Sequence, residues 1–316
     1  MENTRKNNTS KRKRTNSQQK KHEKRMSDLI MALLAVVGIA VTVIIGSAGK
    51  NSKPLDISSD GMMRVSYIDV GQGDCELIEC DGSAVLIDGG ESLYADFVLE
   101  FIKSRGITKL DCYIVSHPHS DHMGAASAIL EGIATDKFVT TEFSELNMPT
   151  SQVFENMLDS LEKQPNCEIV TVSAGDSFEI GKLRFNVLAP FEETSDYNNM
   201  SVVLRVDYGD TRFLFTGDAE KEVETQMLEN GSDLKADVLK VGHHGSKTST
   251  SAEFLKAVSP QIAVISCGSN NSYGHPHKET TELLKRCGVT VCRTDEDGTV
   301  TVYSDGSKVI TADEAA

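Results

Sequence analysis

Four side chains of metal-binding type fall within the stretch Ser116-His117-Pro118-His119-Ser120-Asp121-His122-Met123-Gly124. Imidazole and carboxylate together suit zinc, manganese or iron. The His-x-His spacing puts His117 and His119 on one tight turn, where both can face one cation. Asp121-His122, two residues on, can serve a second. The other histidines repeat the pattern. His22 lies in a basic tail, and the remaining ones are His243-His244 and His275-x-His277. Each cluster follows an apolar run: residues 110–115, 237–241 and 261–266. A further run, 212–215, ends at Thr216-Gly217-Asp218, another polar ligand at the tip of an apolar segment.

Short apolar runs of this kind read as buried strands that deliver loops. Strands are expected at about 64–70, 75–80 and 84–88, with Asp81-Gly82 as the hairpin turn between the last two. Further strands are expected at 168–172, 177–180, 183–188, 201–208, 212–215, 237–241, 261–266, 290–293, 299–303 and 308–310. Helical patterns occupy 92–104, 124–130, 151–163, 219–229, 251–258 and 278–286. The recurring order is strand, polar ligand, helix, with strands also in long series. That order predicts a layered α/β domain with mixed sheets.

The charge is unevenly divided. Residues 1–28 hold ten of the 32 basic residues and three of the 47 acidic ones, a balance of +7. Residues 29–49 carry no charge. The remainder therefore has 22 basic against 44 acidic residues, a balance of −22. At 1.5 Å per residue, a helix over 29–49 would span a hydrocarbon core of roughly 30 Å. The basic block before it predicts a cytoplasmic N-terminus and a single-pass anchor at the cell membrane, with the rest of the chain extracellular. A cleaved signal peptide is the competing reading, less favoured because the apolar run exceeds the usual length of about 7 to 15 residues. The expected organisation is a disordered basic tail (1–28), an anchor (29–49), a linker (50–63) and one catalytic domain (64–316). Seven cysteines without a Cys-x-x-Cys pair read as buried thiols rather than a disulfide framework.

The set His117-x-His119-x-Asp121-His122, Asp218 and His243 resembles the signature of the metallo-β-lactamase fold superfamily. The finer resemblance is to the metallohydrolase domain of ComEC-type competence proteins. It rests on Asp69-Val70-Gly71-Gln72-Gly73-Asp74, on Ser116 to Gly124, on Leu239 to Ser249 and on Tyr273-Gly274-His275-Pro276-His277. The resemblance implies a four-layered αββα sandwich with two mixed sheets and two divalent metal ions, zinc or manganese, at one edge. His117 and His119 would hold the first ion; Asp121, His122 and His243 the second; Asp218 would bridge them. Between His243 and His244 the sequence does not decide. The superfamily's third histidine for the first ion is missing, since none occurs from Met123 to Gly217, and Asn198-Asn199 is the expected substitute. An amide ligand favours the harder manganese.

Two such ions would lower the pKa of a shared water and offset charge on a phosphoryl oxygen. Asp121 would orient the attacking group. Asn199, His244, Ser246, Lys247, His275 and His277 would supply contacts to the substrate, although His275 and His277 could equally be a structural turn around Pro276. The expected function is a membrane-anchored phosphodiesterase or nuclease related to DNA-uptake proteins, with DNA as the leading substrate. The −22 balance argues against a broad electrostatic grip on duplex DNA. The alternative is a non-catalytic, metal-containing module that binds DNA or protein at the membrane.

Overall fold

The computed structural model describes residues 61–312. The basic tail, the apolar segment 29–49 and most of the linker lie outside the described residues. Among those described, no helix is long and apolar enough to cross a membrane.

The first half of the chain runs β1 (Met63–Tyr67), β2 (Glu76–Cys80), β3 (Ser83–Ile87), α1 (Ala95–Ser104), β4 (Lys109–Leu110) and β5 (Cys112–Ile114). It continues through α2 (Ser120–Met123), α3 (Ala126–Gly132), β6 (Ala134–Thr135), β7 (Lys137–Thr140), α4 (Gln152–Leu161) and β8 (Glu168–Thr171). The second half runs β9 (Ser177–Ile180), β10 (Leu183–Ala189), β11 (Val203–Tyr208), β12 (Thr211–Phe215), α5 (Lys221–Glu229) and β13 (Val238–Lys240). Then come α6 (Ala252–Val258), β14 (Ile262–Ile265), α7 (Lys278–Arg286), β15 (Thr290–Arg293), α8 (Thr294–Asp297), β16 (Val300–Ser304) and β17 (Val309–Thr311).

One sheet has the order β17-β16-β1-β2-β3-β5-β7-β8 and the other β15-β14-β13-β12-β11-β10-β9. Each is antiparallel at one end and parallel at the other. In the first, β3, β5, β7 and β8 are parallel; in the second, β12 to β15 are. Strand alternation sorts the side chains. Val65, Tyr67, Ile78, Val85, Ile87 and Ile114 point to the second sheet and meet Phe185, Leu204, Phe213, Phe215 and Val264 there. Their neighbours Leu77, Leu86 and Tyr113 face the opposite way, onto α1, α3 and α4. On the far side, Leu214, Leu239 and Ile265 pack against Val223, Phe254 and Leu284 of α5, α6 and α7. Three apolar layers thus separate four layers of structure, the expected αββα sandwich with mixed sheets.

The Asp81-Gly82 turn has φ of +47° and +87°, the left-handed pair of a two-residue hairpin. The helix expected to start near Gly124 instead begins at Ser120 as α2 and restarts as α3, because the ligand loop itself is wound into the first turn. Helix α4 is not merely an exposed amphipathic element, since Phe154, Met157 and Leu161 are buried against the first sheet. Strand β7, short helix α8 and the β4–β6 pair were not legible in advance. None of the seven cysteines is in a disulfide, and Cys75, Cys80, Cys112 and Cys267 are buried.

Below the ligand loops an ion pair crosses between the sheets. Lys240, the last residue of β13, is 1% exposed and donates from Nζ to Asp74 Oδ2 at 2.6 Å and to the Val241 carbonyl at 3.2 Å. Asp74 sits in the loop between β1 and β2, which Gly73 brings against the ligand loop. A Cβ on Gly73 would lie 2.4 Å from the Asp121 carbonyl oxygen, and the Asp74 N–H donates to that oxygen at 3.1 Å. Burial disfavours charge on Lys240, but Asp74 and Glu76 hold its ammonium above the ordinary lysine value. Removing one partner strands a buried charge. Lys240→Met is therefore expected to lose about 3–5 kcal/mol of stability in urea denaturation. Adding Asp74→Leu should recover most of it; a double variant as unstable as the single one would contradict the pairing.

Candidate metal centre

The ligand loops leave the ends of β3, β5, β12 and β13 and meet at one edge of the sandwich. His117 and His119 follow β5, with His117 Nε2 and His119 Nδ1 3.0 Å apart. His117 is fully buried, and its Nδ1 lies 3.1 Å from the Ser116 hydroxyl and 3.4 Å from that of Ser201. The Nε2 edge is therefore turned toward His119 and Asp218. His122 is fixed from behind, its Nδ1 standing 2.8 Å from Asp88 Oδ2. Asp88 also accepts from the Ser116 backbone N–H and hydroxyl, both at 2.7 Å. A carboxylate that accepts the Nδ1–H hydrogen bond fixes the ring so that Nε2 is the atom offered to a metal.

Asp218 is 2% exposed, and its backbone N–H donates to Ser201 Oγ at 3.0 Å. Its two oxygens face different partners. Oδ1 lies 3.2 Å from His122 Nε2 and 3.5 Å from His244 Nε2. Oδ2 lies 3.7 Å from His117 Nε2 and 3.7 Å from His243 Nε2. The split on the second sheet's side comes from the backbone. His243 and His244 both have left-handed φ, +50° and +53°. Non-glycine residues there carry about 1–3 kcal/mol of strain each and persist only where surroundings impose it. Gly245 follows at φ +81°, packed so tightly that a Cβ would sit 2.6 Å from Pro276 Cβ.

His244 is buried, with Nδ1 donating to the Ser266 carbonyl at 3.0 Å and lying 3.1 Å from Asp74 Oδ1. Its Nε2 is 3.3 Å from Asp121 Oδ2. His243 is partly exposed, with Nδ1 3.3 Å from both Glu220 Oε1 and Thr248 Oγ1. Both rings thus have a polar partner behind and Nε2 forward.

Electrostatics follow from so many buried carboxylates. Burial opposes charge on Asp218, but His122 and His244 hold it well below the usual carboxylate range. Burial likewise opposes a charged His122, yet Asp218 and Asp88 raise it well above the ordinary imidazole value. Against the same burial, Asp218 and Asp74 push His244 up to about 10. Asp121 is lowered in spite of its burial, by the His244 imidazole 3.3 Å away and the charge of His122. His117 is driven well down by burial and then by His122.

His122 Nε2, His244 Nε2 and Asp218 Oδ1 are buried without a hydrogen-bond partner. Leaving such atoms unmet costs about 1–3 kcal/mol each. One divalent cation would satisfy all three, so the donor set fits a metal ion. Two overlapping clusters have ligand atoms within 4.8 Å of one another: His117, His119 and Asp218, and Asp74, His122, Asp218 and His244. Asp74 in the second is already committed to Lys240, which leaves Asp121 as the better-placed carboxylate.

The remaining sequence-derived residues divide. Asn198, Asp218, His243, His244 and His275 line a cleft of about 240 Å³ over the centre, with Gln72, Ser120 and Tyr273 on its walls. Asn199 does not open onto it: its side-chain oxygen accepts from the Glu220 N–H at 3.1 Å. Asn198 does, with its Oδ1 lacking a hydrogen-bond partner. Ser246 is buried and bonded to Thr248 at 3.0 Å, and Lys247 is exposed. His277 accepts on Nδ1 from the Lys247 N–H at 3.0 Å. Sequence reading missed Asp88 and the Asp74–Lys240 pair as supports; an acidic residue at a strand tip was the available signal.

The family model of the metallo-beta-lactamase superfamily matches residues 68–269. Among curated proteins, ComE operon protein 3 of Bacillus subtilis is 35% identical over 263 residues, 77% of this chain and 33% of that one. Recombination protein 2 of Haemophilus influenzae is 34% identical over 245 residues, 76% of this chain and 28% of that one. Competence protein ComA of Neisseria gonorrhoeae is 29% identical over 273 residues, covering 85% and 36%. The chain thus spans about a third of the length of these relatives. Among solved structures, the metallo-beta-lactamase fold protein YhfI of Bacillus subtilis superposes with a TM-score of 0.54 at 11% identity, covering 78% of this chain and 100% of that one.

Because Asp88 fixes the Nδ1 side of His122, Asp88→Asn is expected to weaken divalent-metal binding about 10- to 100-fold by titration calorimetry. Circular dichroism should stay that of the parent. Unchanged affinity would show that Asp88 does not orient the ring.

Proposed function

The chain belongs to the metallo-beta-lactamase superfamily, and we propose that it is a two-metal phosphodiesterase acting on single-stranded DNA or a comparable phosphodiester. The observation that carries the proposal is the double-sided Asp218 carboxylate, each of whose oxygens faces two imidazole nitrogens. His117, His119, His243 and Asp218 Oδ2 would hold one ion. Asp121, His122, His244 and Asp218 Oδ1 would hold the other. In this assignment His243 takes the place of the missing third histidine, reached from the opposite sheet, and His244 rather than His243 serves the second ion. Asn198 stands by with a partnerless amide oxygen. Two divalent ions, zinc or manganese, would supply Lewis acidity toward a phosphoryl oxygen and acidify a water.

The protein's own groups do the rest. Asp121 stays ionised and opens partly to the cleft, placed to accept a proton from the attacking water. His275 is lowered to about 4 by burial and then by His244 and His243, so at neutral pH it is an uncharged ring that can donate one N–H to a phosphoryl oxygen. Gln72 and Ser120 offer further neutral donors on the walls. Two relatives are named for competence and recombination, which makes DNA the first substrate to test. An anchor at 29–49 would hold the domain outside the membrane.

Purified full-length protein with manganese or zinc should hydrolyse bis(p-nitrophenyl) phosphate and nick a single-stranded oligodeoxynucleotide, and Asp218→Asn should abolish both. Metal analysis should find two equivalents in the parent, with one lost in His243→Ala and one in His244→Ala. A metal-loaded protein without turnover would instead make it a binding module. Two equivalents retained in His243→Ala would return the first ion's last ligand to Asn198.

A further inference from the structure

Resting on the phosphodiesterase reading, we propose that the ring of Tyr273, backed by His275, is a stacking wall for one unpaired nucleobase beside the reacting phosphate. The cleft would then select a single-stranded nucleotide unit rather than duplex or a base-free phosphodiester.

Tyr273 is 65% exposed and lines the metal cleft. The other large apolar side chains that are markedly exposed among the described residues, Leu93, Phe97 and Leu146, do not line it. The Tyr273 ring is stacked on the His275 ring, 20° from parallel with centroids 5.6 Å apart, so His275 backs one face of Tyr273 and the other is open to solvent. His275 in turn meets His243 edge-on at 5.5 Å. The wall therefore begins one ring away from a nitrogen that faces Asp218. Tyr273, Asp218, His243 and His244 line one cleft, so a nucleotide held on the ring would share that cleft with the carboxylate and imidazoles.

The backbone that carries the wall is also tied down. Asn271 Oδ1 accepts the N–H groups of Tyr273 at 3.1 Å and His275 at 3.0 Å, while Nδ2 donates to the carbonyls of Gly268 and His275. Beyond the wall, the His277 N–H donates to the Gly245 carbonyl at 3.0 Å, tying this loop to the turn that carries His243 and His244. A surface that is already ordered costs little to use, which is what a recognition wall needs.

Charge gives the reason stacking would be used. Among the described residues no lysine or arginine lines the cleft, and the sequence after the apolar segment carries −22. Affinity for a nucleic acid cannot come from broad neutralisation of phosphates. Stacking on an aromatic face is the other general source, and it tolerates any base. Bases inside a duplex have both faces covered, so only an unpaired one can lie on Tyr273. At about 240 Å³ the cleft is of single-nucleotide scale.

The test uses full-length protein with manganese, a short single-stranded oligodeoxynucleotide, and the same oligomer with abasic spacers at every position. The parent is expected to favour the base-bearing oligomer in kcat/KM by roughly 5- to 150-fold. Tyr273→Ala should erase that preference, acting on KM rather than kcat, and Tyr273→Phe should keep it. Equal loss on both oligomers, no loss on either, or a parent indifferent to bases would overturn the wall. Fluorescence anisotropy with the same oligomers separates the two claims. A parent that binds the base-bearing strand through Tyr273 but cleaves neither oligomer would refute the phosphodiesterase reading and retain the wall.

Discussion

The fold gathers more negative charge at one edge of its two sheets than its fixed cations offset. Asp74, Asp88, Asp121 and Asp218 converge there, and a single buried lysine, Lys240, answers them. Like charges in a low-dielectric junction repel strongly unless something positive intervenes. His122 and His244 respond by holding protons far above the usual imidazole range. Divalent cations would replace those protons and would be favoured by the same carboxylates. Glu76, which no cation reaches as closely, is pushed well up by burial and by Asp74 beside it. The candidate metal centre is thus a consequence of where the strands end as much as of which side chains they carry.

Its geometry depends on a division of labour between the sheets. The first supplies His117, His119, Asp121 and His122 from one loop; the second supplies Asp218, His243 and His244 from the ends of two adjacent parallel strands. Asp218 stands where the two sets meet. Two successive left-handed histidines send neighbouring imidazoles to opposite oxygens of one carboxylate, which an extended or helical dipeptide would not do. The strain is held by packing of Gly245 against Pro276 and by the backbone bond from the His243 N–H to the Gly217 carbonyl at 3.0 Å. The wall around Tyr273 hangs from the same turn.

Much of this was legible in the sequence, for identifiable reasons. Strands ending in ligands announce themselves because a buried apolar run and a polar tip are local patterns. A layered α/β domain with mixed sheets followed from the order of those runs, the four-layered sandwich from the family resemblance, and the Asp81-Gly82 hairpin from turn chemistry. Helix α7 was delimited at Lys278–Arg286 as expected, because its amphipathic stripe is unbroken. Strand β7 was missed because Lys137–Thr140 is too short to show a period. Roles that depend on backbone sign were hidden as well. Nothing in the letters His243-His244 says that both residues take positive φ, so the choice between them stayed open. Asn198 and Asn199 differ only in which one is spent on the Glu220 N–H, a contact across 21 residues. Asp88 reads as a strand end until the fold brings His122 against it. The expected anchor at 29–49 lies outside the described residues.

The central claim is that Asp218 is shared between two metal ions, one per oxygen. Anomalous diffraction from crystals of the full-length protein grown with manganese, collected at the manganese edge, tests it most directly. Two peaks flanking the Asp218 carboxylate are expected, one beside His117, His119 and His243, the other beside Asp121, His122 and His244. A single peak, or two peaks with His243 turned away from both, would contradict it.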